Sequence, residues 1–200
     1  MAKLEKPKQD GGPGLWGVIK KRRSDRSLSG PISKRDLSQL LWAADGLTGG
    51  SEGYGFRSAP SAGALYPVET YVVANRIDGL DSGIYHYDAD SHELELVKSG
   101  DFREEISEAA LGQVMCSDAA VVFVWTIVFD RCARKYGERA NRYVFLDAGH
   151  IAQNLLLAAE ALGFGACPIA AFRDSAVNEV VGADGKMESA GYMAAVGRKA

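Results

Sequence analysis

The chain has 200 residues, 46% of them hydrophobic and 24% charged, which is ample for one buried core and excludes a largely disordered protein. With 23 basic against 26 acidic residues the formal net charge is −3, which argues against a nucleic-acid partner recruited by overall charge. Cys116, Cys132 and Cys167 make neither a C-x-x-C pair nor a zinc pattern and are expected to be reduced thiols.

Residues 1–14 are polar, carry Pro and Gly and lack the apolar core of a signal peptide. They are expected to form a flexible segment ahead of a single domain over residues 15–200. No later run reaches transmembrane length, so the expectation is a cytoplasmic protein with no membrane partner. Leu15 to Lys21 predicts a short helix that delivers Lys20-Lys21-Arg22-Arg23-Ser24-Asp25-Arg26. Arginine forks beside a hydroxyl suit a phosphate, and a solvated basic loop has the same composition. Ser33 followed by Asp36 reads as a helix start, with Leu37, Leu40, Leu41 and Ala44 on one face and Gly46 as the stop. The glycine-rich stretch Gly46 to Gly55 reads as a mobile loop.

Ala59 to Pro67, Ala-Pro-Ser-Ala-Gly-Ala-Leu-Tyr-Pro, cannot be helix interior, because its prolines fix φ and remove donors while its glycine opens other conformations. It is a shaped loop whose free amides could approach a flat ligand; an ordinary turn is the alternative. Val68 to Val73 then reads as a buried strand. Gly83 to Tyr87 and Glu93 to Val97, joined through Asp88 to His92, predict a hairpin. His86, between two tyrosines, is expected to be a half-buried or exposed strand residue with no catalytic role.

Asp101 to Leu111 predicts a helix, Gln113 follows it, and Ala119 to Val128 has the continuous apolar character of a central strand. Arg131 to Arg142 carries five basic residues and reads as a solvated helix face. Asn141 to Leu162 is apolar around nearly its whole circumference, which predicts a helix buried on several sides and suggests a subunit interface. His150 and Asn154 share a face of it. Lacking further ligands, they are read as satisfied core polar groups and not as a metal site. Asp174 to Val181 predicts a helix and Tyr192 to Val196 a strand. No Gly-x-Gly-x-x-Gly follows a strand and no repeat is present. The reading is an α+β domain with a mixed, mostly antiparallel sheet flanked by helices.

Four motifs in order carry a resemblance over nearly the whole chain: Arg22-Arg23-Ser24-Asp25-Arg26, Pro60-Ser61-Ala62-Gly63, the helix segment Asp147-Ala148-Gly149-His150-Ile151-Ala152-Gln153-Asn154-Leu155, and Leu162-Gly163-Phe164-Gly165. Together they resemble the nitroreductase superfamily of flavin enzymes. Ala64-Leu65-Tyr66-Pro67 and Gly83-Ile84-Tyr85-His86-Tyr87 further resemble its branch of azoline dehydrogenases, which oxidise thiazolines and oxazolines.

The resemblance implies an intertwined homodimer with FMN at the subunit interface, NADH or NADPH as co-substrate, and hydride transfer through flavin N5 by a ping-pong mechanism. It assigns Arg22, Arg23, Ser24 and Arg26 to the cofactor, with Arg22 and Ser24 at the phosphate and ribityl end and Arg26 at the pyrimidine edge. Pro60, Ser61, Ala62 and Gly63 match the loop that reaches the flavin from the partner subunit. Pro168, Ile169, Ala170 and Ala171 match the segment along the ring face, with Gln113 a further cofactor candidate and Arg198 a candidate phosphate contact. Many relatives have Glu-Gly where Ala170-Ala171 stand and Asn where Ala64 stands. Lys135 and Tyr136 resemble the Lys-Tyr pair that azoline dehydrogenases use beside the flavin, where a base removes a proton. A flavin-binding protein without turnover and a flavin-consuming enzyme remain as alternatives. A cofactor that itself performs the redox step accounts for the absence of a Ser-His-Asp, Cys-His or metal constellation.

Overall fold

The computed structural model describes residues 1–51 and 54–200. In the segment expected to be flexible, β1 (Ala2–Lys3) adds to the edge of the main sheet, and Lys8 exchanges hydrogen bonds of 2.7 and 3.0 Å with the Gln39 amide. After α1 (Leu15–Lys21) come the short strands β2 (Leu28–Ser29) and β3 (Ile32–Ser33). Helix α2 (Lys34–Asp45) starts as its sequence predicts, with Ser33 Oγ accepting the Asp36 N–H at 3.1 Å, one of the otherwise orphaned donors of the first turn.

The expected mobile loop over Gly46 to Gly55 is corrected. β4 (Leu47–Ser51) pairs antiparallel with β5 (Tyr54–Arg57), and the part of that expectation falling on Glu52 and Gly53 lies outside the described residues. The hairpin is tied at its base, where Trp42 Nε1 donates to the Leu47 carbonyl at 2.8 Å and the Ser58 N–H to Gly46 at 2.9 Å. A chain held there forms a ladder despite weak strand propensity.

The Pro60 loop, with a 3₁₀ turn over Ala62–Ala64, leads into β6 (Val68–Ala74), and β7 (Ile77–Asp78) pairs in parallel with β3. The predicted hairpin is β8 (Gly83–Asp88) with β9 (Glu93–Ser99). Then follow α3 (Arg103–Ala109), α4 (Met115–Asp118), β10 (Val121–Ile127), α5 (Phe129–Tyr136) and α6 (Ala140–Ala161). The chain continues through β11 (Phe164–Ile169), α7 (Asp174–Val181) and β12 (Ser189–Lys199).

The main sheet runs β1-β9-β8-β6-β10-β12-β11 with β2 added to β12, and its pairings are antiparallel. Every residue of β10, Val-Val-Phe-Val-Trp-Thr-Ile, is buried, as a strand covered on both faces requires. Val121, Phe123 and Trp125 pack with Leu37, Leu40 and Leu41 of α2 and Ala148, Ile151 and Leu155 of α6. Val122 and Val124 face the other way, with Ile106 of α3, Met115 of α4 and Val177 of α7. The side-chain alternation of a strand thus serves two helical layers.

One face of α6 packs on the sheet, whereas Phe145 and Leu146 stand 58% and 52% exposed. The three cysteines are buried and free, with Cys116 pushed up to about 12 by desolvation.

Candidate functional site

The basic segment after α1 is laid along the start of β11. Asp25 N–H donates to the Ala166 carbonyl at 2.9 Å and Ser24 forms a parallel bridge with Ala166. Gly165 permits this approach, since a Cβ there would lie 2.8 Å from Leu28 Cδ2 and 3.2 Å from Asp25 Cβ. Arg22 is half-buried at the end of α1, and Arg23, Ser24 and Arg26 are exposed. Arg23 Nη1 turns back onto the carbonyls of Lys20 and Arg22 at 2.9 and 2.8 Å. Arg198, at the end of β12 opposite Ser29, donates through Nε to the Pro31 carbonyl at 2.7 Å. Among the described residues, no carboxylate pairs with Arg22, Arg23, Arg26 or Arg198. Cations gathered without internal acidic partners can take an external anion.

Where β11 leaves the sheet, Pro168 is half-buried, Ile169 is buried and Ala170 and Ala171 are exposed. Gln113 braces this exit: its Nε2 donates to the carbonyls of Ala110 and Ala171, both at 2.8 Å. The two alanines therefore present a small, fixed surface.

The Pro60–Tyr66 loop is shaped by α6. Ser61 Oγ donates to Asp147 Oδ2 at 2.7 Å, Ala62 N–H reaches the same carboxylate at 3.1 and 3.2 Å, and Tyr66 N–H donates to Ser61 Oγ at 3.0 Å. Gly63 sits at φ +66°, and Ala64 and Tyr66 share the left-handed region at +54° and +46°, which side-chain-bearing residues seldom occupy. A Cβ on Gly63 would stand 2.5 Å from Tyr136 Oη and 2.8 Å from Lys135 Nζ. The structure thus brings Lys135 and Tyr136 onto the Pro60–Gly63 loop of the same chain. Lys135 is exposed, and the Tyr136 ring packs edge-on against Tyr143 with centroids 5.0 Å apart.

Arg131, one turn before Lys135 on α5, donates to the Tyr66 carbonyl at 3.0 Å and pairs with Glu69, whose Oε2 is 2.8 Å from His86 Nε2. The Glu69 hydrogen bond raises His86 above the usual histidine range. Burial opposes charge on Glu69, but the His86 hydrogen bond and Arg131 outweigh it and leave its carboxyl lowered. Arg57 lies 4.5 Å over the Tyr66 ring and pairs with buried Asp45 at 2.7 Å. Asp45, Arg57, Glu69, His86 and Arg131 line a polar cavity of about 240 Å³. The five basic residues of Arg131–Arg142 are exposed, as a solvated face requires, while Arg131 and half-buried Tyr136 also engage the loop and its surroundings.

His150 is exposed, not a core group as expected, while Asn154 is satisfied by donating to the Ser58 carbonyl at 3.2 Å. Among the described residues, no group of three or more His, Cys, Asp or Glu side chains is placed to hold a metal ion, and no helix is long and apolar enough to cross a membrane. Asp147, Glu69 and Arg131 were not singled out from the sequence. For Asp147 the signal was a carboxylate inside an apolar helix, which needs partners wherever it is buried.

The candidate residues fall into two groups. The loop enters β6 at Val68, whose register partner Ile127 lies opposite Ser189, whereas the basic edge lies near the other end, where Ala74 meets Val121 and Val121 meets Val196. Six residues of strand separate those ends, about 20 Å.

The model of the nitroreductase family matches residues 19–198. MJ1384 of Methanocaldococcus jannaschii, a protein assigned to the nitroreductases, is 38% identical over 168 residues, 84% of this chain and 83% of that protein. The trifolitoxin-processing protein TfxB of Rhizobium leguminosarum bv. trifolii is 32% identical over 139 residues, covering 67% of this chain and 37% of TfxB. A crystal structure assigned to a nitroreductase of Anabaena variabilis superposes with a TM-score of 0.85 at 30% identity, over 100% of this chain and 41% of that one. With a match spanning both groups of candidate residues and this agreement in fold, the chain belongs to the nitroreductase family.

Proposed function

We propose that the chain is an FMN-dependent oxidoreductase that works as a homodimer, with a single flavin domain over residues 15–200. The observation that carries the reading is the basic edge of Arg22, Arg23, Ser24, Arg26 and Arg198, without acidic partners among the described residues, beside a strand exit of small exposed residues. Arg22 and Ser24 would hold the phosphate and ribityl end, Arg198 a further phosphate oxygen and Arg26 the pyrimidine edge. The backbone of Pro168, Ile169, Ala170 and Ala171, braced by Gln113, would lie along the ring. When bound, FMN supplies hydride transfer at N5, alternating in ping-pong fashion between NADH or NADPH and a second substrate.

The separation of the two groups supports a homodimer. With Pro60 to Gly63 near the far end of the strands from the basic edge, the loop of one protomer would complete the site of its partner. Trp16 on α1, 81% exposed, with Phe145 and Leu146 on α6, are apolar surface that such pairing would cover. The test is cofactor identity: the purified protein is expected to be yellow and to release FMN, distinguished from FAD by chromatography. A colourless protein that takes up neither flavin refutes the reading.

The position of Lys135 and Tyr136 against Gly63 favours a second reading, an azoline-type dehydrogenase. Lys135 Nζ would take the ring-carbon proton of a thiazoline or oxazoline, with FMN supplying the acceptor for the hydride and the Tyr136 hydroxyl orienting the base. The similarity to a toxin-processing protein supports this alternative. Oxidation of such a ring without NADH or NADPH separates it from a reductase, and a flavin that neither donor nor ring reduces marks a binding protein without turnover.

A further inference from the structure

The motif helix Asp147 to Asn154 has a role that the flavin reading leaves unassigned. Asp147 and Asn154 are seven residues apart, close to two turns, and so share one face of α6. That face grips the loop twice, through Asn154 Nδ2 to the Ser58 carbonyl and through the Asp147 carboxylate to Ser61 and Ala62. Asp147 is 4% exposed, and no cation pairs with it among the described residues. A buried carboxylate must be satisfied, and its hydrogen-bond donors are the hydroxyl of Ser61 and the amide of Ala62. Those bonds hold a loop whose Gly63, Ala64 and Tyr66 occupy left-handed backbone, a conformation that persists only where its surroundings impose it.

We propose that Asp147 is the positioning residue of the site: through Ser61 and Ala62 it imposes the loop conformation that sets Gly63 against Tyr136 and Lys135. The inference rests on the reading of Pro60 to Gly63 as a cofactor loop. Its structural half stands without flavin, so the two can fail separately.

The test compares wild type with D147A, D147N and S61A, and with D174N as an exposed control. Amide hydrogen exchange is read by NMR on the flavin-free protein, and FMN affinity by quenching of flavin fluorescence. In D147A the Ala62 amide is expected to exchange at least tenfold faster while amides of β6, β10 and β12 keep their protection, and FMN binding is expected to weaken about tenfold or more, as for loss of hydrogen bonds to a charged group. D147N, whose Oδ1 can still accept from Ala62, is expected to recover part of both. If D147A does not fold, S61A, which removes the bond to Asp147 and the one accepted from the Tyr66 N–H in a half-buried surface loop, is expected to show both changes at several-fold. Ala62 exchange and FMN affinity within twofold of wild type in every folded variant overturn the proposal. So does exchange that rises equally across the sheet, which marks Asp147 as a general structural residue. A wild type that binds no FMN refutes the proposed function and leaves Ala62 exchange to decide the role of Asp147.

Discussion

Replacing Gly63 by alanine probes the loop and the dehydrogenase reading in one protein. The residue sits at φ +66°, where a Cβ costs about 1–2 kcal/mol. For a chain of this length each kcal/mol lowers Tm by roughly 2–4 °C, so a fall of about 2–8 °C is expected. The new methyl would also begin 2.5 Å from Tyr136 Oη and 2.8 Å from Lys135 Nζ, and ordinary contact begins near 3.4 Å. The hydroxyl must withdraw by about 0.9 Å and the ammonium by about 0.6 Å, displacements of the order that can cost 10²-fold when they fall on reacting groups. Thermal unfolding followed by circular dichroism reads the first effect, and turnover on a thiazoline substrate against NADPH-driven reduction reads the second. A lowered Tm with both activities intact keeps the loop geometry and removes Lys135 and Tyr136 from the chemistry. An unchanged Tm with unchanged oxidation would refute the reasoning altogether.

Arg22→Ala is expected to weaken FMN by the roughly 1.5–3 kcal/mol of a charged hydrogen bond, whereas Arg103→Ala, which removes an exposed pair with Asp101, changes it little; flavin titration distinguishes them, and equal effects would contradict the phosphate assignment. Sedimentation velocity is expected to give the mass of a dimer, and a stable FMN-loaded monomer is the contrary result. Lys135→Ala and Tyr136→Phe are expected, on the dehydrogenase reading, to lower oxidation about 10²-fold with FMN retained; changes within about twofold in both oxidation and reduction assign the pair a structural role. Glu69→Gln addresses the charged network by pH. His86 is raised above its ordinary 6.5, so its contribution is complete below that value and fades as pH climbs through the raised one, while Glu69 is lowered from 4.5 and contributes fully above that value, fading on acidification. The difference in Tm between Glu69→Gln and wild type is therefore expected to be largest between about pH 5 and 6.5, and a pH-independent difference would contradict the pairing.

Local signals carried most of the architecture. Ser33 with Asp36 placed the start of α2, Asp174 to Val181 was read at its observed bounds, and the unbroken apolar run of β10 marked the middle of the sheet. What escaped was decided by tertiary contact. Leu47 to Ser51 and Tyr54 to Arg57 have the glycine content of a loop and pair as strands because Trp42 and Gly46 fasten their base. The site divides in the same way. Arg22 to Arg26 and Pro60 to Gly63 stand out as composition, so they were legible as candidates. Gln113 could be named but its brace on Ala171 could not, since that bond joins residues 58 positions apart. Asp147 lay inside a recognised motif without a role, because its function depends on which loop α6 happens to touch.

The position of β12 also makes the main sheet depend on it. Residues 189–199 lie between β10 and β11 and also pair with β2, so β10 and β11 join one sheet only through that last strand. Without it, the inner edges of β10 and β11 lack their partner. Such edges are where intermediates aggregate. A chain cut before residue 189 should therefore give a lower soluble yield in cells than the 200-residue chain.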